Sequence, residues 1–260
     1  VYDLPAGNQY CVDYKIYPDG VVNVAVKFTA TDQEAVKTDV PEDTHLATYT
    51  PGKMKEKKDN LEVPRIGIRF HIPQDMNIVE YFGRGPEENY IDRNAGSMVG
   101  RYKTIADSMY VDYVRPQENG HRTDTRWVVL SDKSGRGLLV QADKTIGFNA
   151  LRNTIEDFDA EDSSRPYQWR NRSPEEIENH DLDEAKNAMR KMTHVNDIIP
   201  RDFVEVSVDM KQQGVAGYDS WGAKVQPGYT IPANQNYEWG FTFVPIRAKA
   251  DVDKSLRYDY

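Results

Sequence analysis

The sequence predicts an all-β sandwich that carries one short helical insertion. Three observations support this prediction: many short segments alternate apolar and polar residues, turn formers separate them, and helical spacing occurs in one segment only. The chain has 260 residues, enough for one large β domain, and no internal repeat, low-complexity tract or linker divides it. We therefore expect a single β-sandwich domain over residues 1–260.

The first predicted element is an N-terminal hairpin. Apolar side chains occupy alternate positions in residues 9–17 and again in 22–28, on either side of the turn formers Pro18, Asp19 and Gly20. This pattern predicts two paired strands with one buried face. The polar stretch from about Thr31 to Asn60 follows and is interpreted as a solvated excursion, although a helix or edge strand within it is compatible with its composition.

Further strands are predicted along the rest of the chain, for a total of eight to twelve. Two of them are expected to pair with each other around Pro73-Gln74-Asp75, and the block after the second is interpreted as a structured loop. In chain order the segments are 66–72, 76–82, the loop block 81–90, 123–131, 137–143, a strand beginning near Ile146, 204–210 and 237–243.

One helix is predicted within an insertion at residues 157–192. Ser173 is a suitable N-cap, Pro174 fits the first helical position, and apolar residues recur at helical spacing from Leu182 to Met192. The preceding residues, 157–172, have the mixed composition of irregular structure.

Composition excludes several classes of partner. Charged residues make up 29% of the chain, and 42 acidic against 33 basic residues give a net charge of −9, which disfavours a nucleic-acid surface. The apolar runs are all too short to span a membrane, and the single Cys11 excludes an intramolecular disulfide. We predict neither a nucleic-acid nor a membrane partner. The N-terminal Val1 indicates an excised segment, so the compartment is left open.

The chain lacks the common catalytic motifs. Nucleophile-elbow, P-loop and zinc-site patterns are all missing, and Asp157-x-Asp159-x-Glu161 lacks the later residues of a calcium loop. Sequence neighbours such as Glu87 and Glu88 do not supply the two carboxyl groups, roughly 5 Å apart, of a retaining glycosidase. We predict no catalytic residue and no metal or other cofactor in this chain.

Two groups of residues are candidates for sugar binding. Trp221 lies in a glycine-flanked polar loop beside Asp219; it is interpreted either as an open platform for a sugar ring or as an inward-folded core residue. His121 lies in a turn dense in hydrogen-bonding groups, where a structural and a functional role are both open. Its neighbours in that turn are Glu118, Asn119 and Arg122.

Three segments together resemble one protein family. They read YFGRGPEENYIDR at residues 81–93, YVRPQENGHRTDTR at 113–126 and GYDSWG at 217–222. In order and spacing they are similar to the C-terminal "small chain" domain of large bacterial β-galactosidases in glycoside hydrolase family 2. The resemblance runs from about residue 9 to 246.

The resemblance implies a β-supersandwich of the galactose-mutarotase-like type, packed beside a catalytic barrel that this chain does not contain. It implies that Trp221 forms one wall of the sugar site, with Asp219 as the acidic residue of that loop, and that the barrel supplies both catalytic glutamates. Implied partners are a galactoside or oligosaccharide and the barrel of the same polypeptide, and a homo-oligomer is compatible with it. Mg²⁺ and Na⁺ are implied for the parent enzyme at its barrel.

Our leading hypothesis is a domain that is catalytically silent alone and completes the active site of a retaining β-galactosidase. The alternative is a freestanding carbohydrate-binding or aldose-mutarotase-like module, in which His121 and Glu118 are the acid and base. A purely structural domain that stabilises an oligomer is a third hypothesis.

Overall fold

The computed structural model describes residues 1–4, 7–31, 62–158, 195–219 and 223–256. These residues form ten β-strands and two short helices, which confirms the all-β prediction and the expected number of strands. The strands are β1 (Tyr2–Asp3), β2 (Gln9–Ile16), β3 (Val22–Thr29), β4 (Arg65–Pro73), β5 (Ile78–Gly85), β6 (Met98–Ile105), β7 (Arg122–Ser131), β8 (Gly137–Leu151), β9 (Phe203–Gln212) and β10 (Tyr237–Ile246). The helices are α1 (Ile155–Phe158) and α2 (Ala250–Ser255).

All strand pairs are antiparallel, and the sheet branches at the long strand β8. The main path runs in the order β1-β2-β3-β10-β8-β7-β5-β6. On one side β8 pairs with β7 from Gly137 to Phe148, across two register shifts; on the other, residues 137–142 pair with β10 and residues 147–151 pair with β9, which in turn pairs with β4. One strand therefore belongs to both parts of the sheet.

The β4–β9 pair packs over the β2, β3 and β10 part of the sheet. Phe70 of β4 meets Phe243 of β10 edge-on with ring centroids 5.2 Å apart, and the Tyr10 hydroxyl of β2 donates to the Gly67 carbonyl of β4 at 3.0 Å. The main core fills the space between and draws buried apolar residues from β3, β4, β5, β7, β8, β9 and β10. These contacts confirm a β-sandwich.

A smaller apolar cluster covers the opposite face of the central strands. Trp127, Val129, Leu139 and Val244 pack there with Val252 of helix α2. The sequence patterns did not predict α2, because six residues are too few to show helical periodicity.

The N-terminal hairpin is confirmed, but its buried face is incomplete. Strands β2 and β3 pair from Gln9 opposite Thr29 to Ile16 opposite Val22. Alternate residues of β3 are buried, yet Tyr14 and Ile16 of β2 are 60% and 74% exposed. Alternation places these side chains on one face, but burial also needs an opposing layer, which the described residues do not supply at this end of β2.

The predicted pairing of β4 with β5 is wrong. The Met76 amide donates to the Pro73 carbonyl and closes the turn, but β4 pairs with β9 and β5 pairs with β6 and β7, so the chain passes from one layer to the other at this turn. Two boundaries also differ. The block taken as a loop from Tyr81 begins inside β5, and the two strands predicted around Ile146 are parts of the single strand β8.

Several predictions lie outside the described residues. They are the solvated excursion beyond Thr31, the insertion from residue 159 to 192 with its helix, and Trp221 itself. Within the described ranges, no helix is long and apolar enough to cross a membrane.

Candidate functional site

The first two motifs are joined through the fully buried side chain of Asn89. Its Oδ1 accepts from the Thr123 amide at 3.0 Å and from the Thr123 hydroxyl at 2.6 Å, while its Nδ2 donates to the carbonyls of Arg84 and Glu87, both at 3.1 Å. The Asn89 amide also donates to the His121 carbonyl at 2.8 Å. One amide side chain therefore satisfies backbone groups of both segments, a role that needs a donor and an acceptor together.

A second set of bonds fixes the turn around Gly120. Glu88 Oε2 accepts from the Gly120 amide at 2.8 Å, and the Arg122 guanidinium donates to the carbonyls of Gly120 at 3.0 Å and Pro86 at 2.8 Å. Gly120 has φ of 75°, and a Cβ there would lie 2.9 Å from the Met109 carbonyl oxygen. Only glycine fits this position, which explains the Asn-Gly pair in the second motif.

The third motif is anchored to the first by Asp92. The Ala216 amide donates to Asp92 Oδ2 at 2.7 Å, and Gly214 approaches so closely that a Cβ on it would lie 2.4 Å from the same oxygen. On the far side of the loop, the Ala223 amide donates to Asp219 Oδ1 at 3.2 Å. The flank before Trp221 is thus attached to the first motif, and the two ends of the segment are bonded to each other; Trp221 itself is outside the described residues.

Behind the second motif lies a polar network that crosses β4, β8 and β9. Arg65 Nη2 donates to Gln212 Oε1 at 2.6 Å and to Asn149 Oδ1 at 3.2 Å, and it forms an ion pair with Glu118. Arg65 Nε lies 3.2 Å from Asp209 Oδ2, but without the alignment of a hydrogen bond. Asp209 is fully buried, so its main compensation is this ion pair.

The predicted site residues fall into separate environments. Asn119, His121 and Arg122 are at most 4% exposed, and Glu118, Asn119 and His121 are linked through Arg65 and Asn149. Arg122 is held instead by the backbone carbonyls of the first two motifs. Asp219 is exposed and bonds to the other flank of its own loop. Contact of any of them with a sugar stays a prediction.

The three motifs thus form one interconnected unit. Comparison with known proteins identifies the family to which the chain belongs. A family model described as β-galactosidase small chain matches residues 1–243. The chain belongs to the β-galactosidase small-chain family.

Curated relatives of this family member carry the name β-galactosidase. One from Priestia megaterium is 34% identical over 204 residues, which cover 76% of this chain and 17% of the relative. One from Halalkalibacterium halodurans is 29% identical over 231 residues, covering 88% of this chain and 18% of the relative. A third, from Streptococcus thermophilus, is 29% identical over 184 residues, covering 70% and 15%. The chain therefore matches less than a fifth of the length of these relatives.

Burial changes the protonation of two residues in this small-chain domain. The pKa of His121 is lowered to about 3, chiefly because burial disfavours the imidazolium and also because Arg65 is close. The pKa of Asp209 is raised to about 7 by burial, which Arg65 offsets only in part. His121 Nδ1 lies 3.9 Å from Asp209 Oδ2. His121 is consequently neutral at physiological pH.

Arg65, Asn149 and Asp209 were missed by sequence reasoning. Arg65 and Asp209 occupy polar positions of strands whose alternation predicted a solvated face. In β9 that face is also buried, because Glu205, Ser207 and Asp209 lie beneath other segments. The alternation within one strand does not show whether another segment will bury its polar face.

The carboxylates of the described ranges show no metal-binding cluster. Among those residues, no group of three His, Cys, Asp or Glu side chains could hold a metal ion. Asp157, the first residue of the calcium-like pattern, accepts from Arg201 Nε at 3.0 Å and Asn153 Nδ2 at 3.2 Å, and these bonds lower its pKa against the opposing effect of burial. Asp159 and Glu161 are outside the described residues.

Proposed function

We propose that this domain completes the sugar-binding wall of a β-galactosidase whose catalytic barrel is not part of the 260-residue chain. The full enzyme would hydrolyse terminal β-galactosides with retention, using two barrel carboxylates about 5 Å apart. Membership of the small-chain family and the names of the relatives support this proposal. Mg²⁺ and Na⁺, if required, would bind at the barrel.

The observation that carries the proposal is the attachment of the third motif to the first. The Ala216 amide bonds to Asp92, and the loop that bears Trp221 continues from that point. An indole held on an anchored loop offers a flat apolar face to the C–H face of a sugar ring. Asp219 is exposed in the same loop, and we propose that it accepts hydrogen bonds from sugar hydroxyls.

For the buried residues of the second motif we propose a positioning role. Asn119 accepts from the Val111 amide at 3.1 Å and donates to the Gln117 carbonyl at 2.9 Å, and Arg122 bonds to the two carbonyls described above. Glu118 is engaged by Arg65. These bonds fix the second motif, which is joined in turn to the first motif, whose Asp92 anchors the loop. Because Glu118 is ion-paired and His121 Nδ1 is bonded to Asn149, a mutarotase-like acid–base pair of these two residues gains no support.

The test is the Trp221→Ala substitution in the full enzyme. We expect KM to rise, or acceptor binding to weaken, about tenfold, the equivalent of about 1.4 kcal/mol, with little change in thermal stability. Tyr218→Ala, an exposed neighbour in the same loop, is the matched control. An unchanged KM with a large loss of thermal stability would assign Trp221 to the core.

A second measurement tests whether the isolated chain lacks hydrolytic activity, as proposed. The isolated chain should leave an aryl β-galactoside intact, because the catalytic carboxylates would be on the barrel. Hydrolysis at a rate comparable to that of the full enzyme would contradict the proposal.

A further inference from the structure

A cleft of about 220 Å³ opens where β7, β8 and β9 come together. It is roughly the volume of seven water molecules, taking about 30 Å³ for each. Its lining includes Thr123, Asp124, Thr145, Gly147, Lys211 and Gln212, and also His121. Polar groups of both charge signs therefore surround a compact space.

The hydrogen bonds of Asn149 determine which nitrogen of His121 carries the proton. Asn149 Nδ2 donates to the Asn119 carbonyl at 2.6 Å, so its Oδ1 faces Arg65 Nη2 at 3.2 Å and His121 Nδ1 at 2.7 Å. An amide oxygen only accepts, so His121 Nδ1 is the donor. With the imidazole neutral, Nε2 is left as a bare acceptor.

The Nε2 edge of the His121 ring lies beside Gly147 in the wall of the cleft. A Cβ at residue 147 would lie 2.5 Å from both Nε2 and Cε1, so glycine is what leaves this edge uncovered. Tyr90 stacks near the ring with centroids 5.4 Å apart, and the side chain is 1% exposed. No residue in the described ranges bonds to Nε2. His121 Nε2 is not among the fully enclosed polar atoms that lack a partner, so it is open to a donor that enters the cleft, either water or a ligand hydroxyl.

We propose that this cleft binds a neutral polyhydroxylated molecule no larger than a monosaccharide, one hydroxyl of which donates to His121 Nε2. A hydroxyl both donates and accepts, so it also matches the side chains of Thr145, Asp124 and Lys211. Asp124 is already ion-paired with Arg84 at 2.5 Å, so an anion entering the cleft would meet the lone pair of His121 Nε2 and a cation would meet Lys211; a neutral ligand avoids both. A metal ion would need further ligands, and the described residues offer no three-residue cluster for one.

The inference is tested by NMR on the 260-residue chain with ¹⁵N-labelled histidine. D-galactose and myo-inositol are the probes, and the His121 Nε2 resonance is followed in long-range ¹H–¹⁵N spectra. We expect a saturable shift of that resonance at millimolar probe concentrations. A response to both probes indicates a general polyol site, and a response to galactose alone narrows it to sugars.

A cleft-filling variant and its matched control complete the test. Thr145→Tyr places a ring in the cleft, whereas Lys144→Tyr adds the same side chain to the adjacent exposed position, which does not line the cleft. We expect Thr145→Tyr to weaken probe binding at least about tenfold and Lys144→Tyr to leave it unchanged.

Three results would overturn the inference: no shift with either probe, equal weakening in both variants, or a spectrum that shows Nε2 protonated. The cleft does not depend on the proposed galactosidase role. A galactose shift that is lost in Trp221→Ala but kept in Thr145→Tyr would belong to the loop and would also count against the cleft.

Discussion

The Ala216 amide and the Asp92 carboxylate are joined by a hydrogen bond of 2.7 Å between positions 124 residues apart. This bond attaches the stem of the Trp221 loop to the end of the first motif. Asp92 Oδ1 is buried and has no hydrogen-bond partner among the described residues. The attachment thus leaves one carboxylate oxygen of Asp92 unsatisfied. Because this carboxylate holds the Ala216 amide, removing it should loosen the loop.

We predict that Asp92→Ala loosens residues 214–219 without unfolding the domain. Loss of the acceptor leaves the exposed Ala216 amide to water, and we expect a cost of about 0.5–1.5 kcal/mol at the loop. Hydrogen exchange at the Ala216 amide measures it, and exchange should accelerate. Asp75→Ala, in the exposed β4–β5 turn, should leave that amide unchanged. Equal exchange rates in Asp92→Ala and in the unmodified chain would contradict the anchoring role.

Asn89→Ala should destabilise the whole domain. The substitution strips partners from the buried Thr123 amide and from the part-buried carbonyls of Arg84 and Glu87. We expect a loss of roughly 3 kcal/mol or more in the free energy of unfolding, measured by chemical denaturation. Asn89→Asp keeps the acceptor but turns a carboxylate oxygen towards two carbonyls, so it should be no better than alanine. A loss below about 1 kcal/mol in Asn89→Ala would show that water replaces these bonds.

Asp209 should make the folded state less stable as pH rises. Its pKa is about 7 in the folded chain against 3.8 for the unfolded group, so between these values the folded state holds the extra proton. The stabilisation present at low pH is lost as pH rises from 3.8 to 7, by at most about 1.4 kcal/mol per pH unit. His121→Asn removes the opposing effect of the histidine, and urea unfolding from about pH 5 to 8, above the range in which carboxylates of lowered pKa such as Asp157 and Glu156 contribute most, should show stability increasing as pH falls. If the stability of that variant instead decreases as pH falls, the raised pKa of Asp209 would be contradicted.

His121 should act in the opposite direction. Its pKa is about 3 when folded and 6.5 when unfolded, so below pH 6.5 the unfolded state takes up the proton first. Stability is therefore lost as pH falls from 6.5 towards 3. Asp209→Asn isolates this effect and should lose stability steadily on acidification. Since the two effects oppose each other, the unmodified chain should vary less with pH than either variant.

Strand positions were largely predictable from the sequence, and strand partners were not. Alternation located β2, β3, β9 and β10 closely, because side chains of any extended segment point to opposite faces. The same pattern suggested that β4 pairs with its neighbour β5, whereas it pairs with β9, more than a hundred residues away. Proximity in sequence is a guide to pairing but does not determine it.

The candidate site shows the same division. The motif around His121 was noticed as a turn dense in hydrogen-bonding side chains, and the structure makes it the junction of a buried network. Its partners Arg65, Asn149 and Asp209 come from three different strands. Polar residues of an alternating strand are expected to face solvent. They form a buried network here because a second layer of the structure packs over them.

The sequence by itself determined the all-β class, the positions of most strands and the three segments that identify the family. Each of these depends on residues close together in the chain, through the pleat of a strand or the needs of a turn. The tertiary structure decided which strands pair, that β8 is shared between two parts of the sheet, and that His121 is neutral with one nitrogen turned to a cleft. Those properties depend on burial and on partners brought from distant segments, which no local pattern specifies.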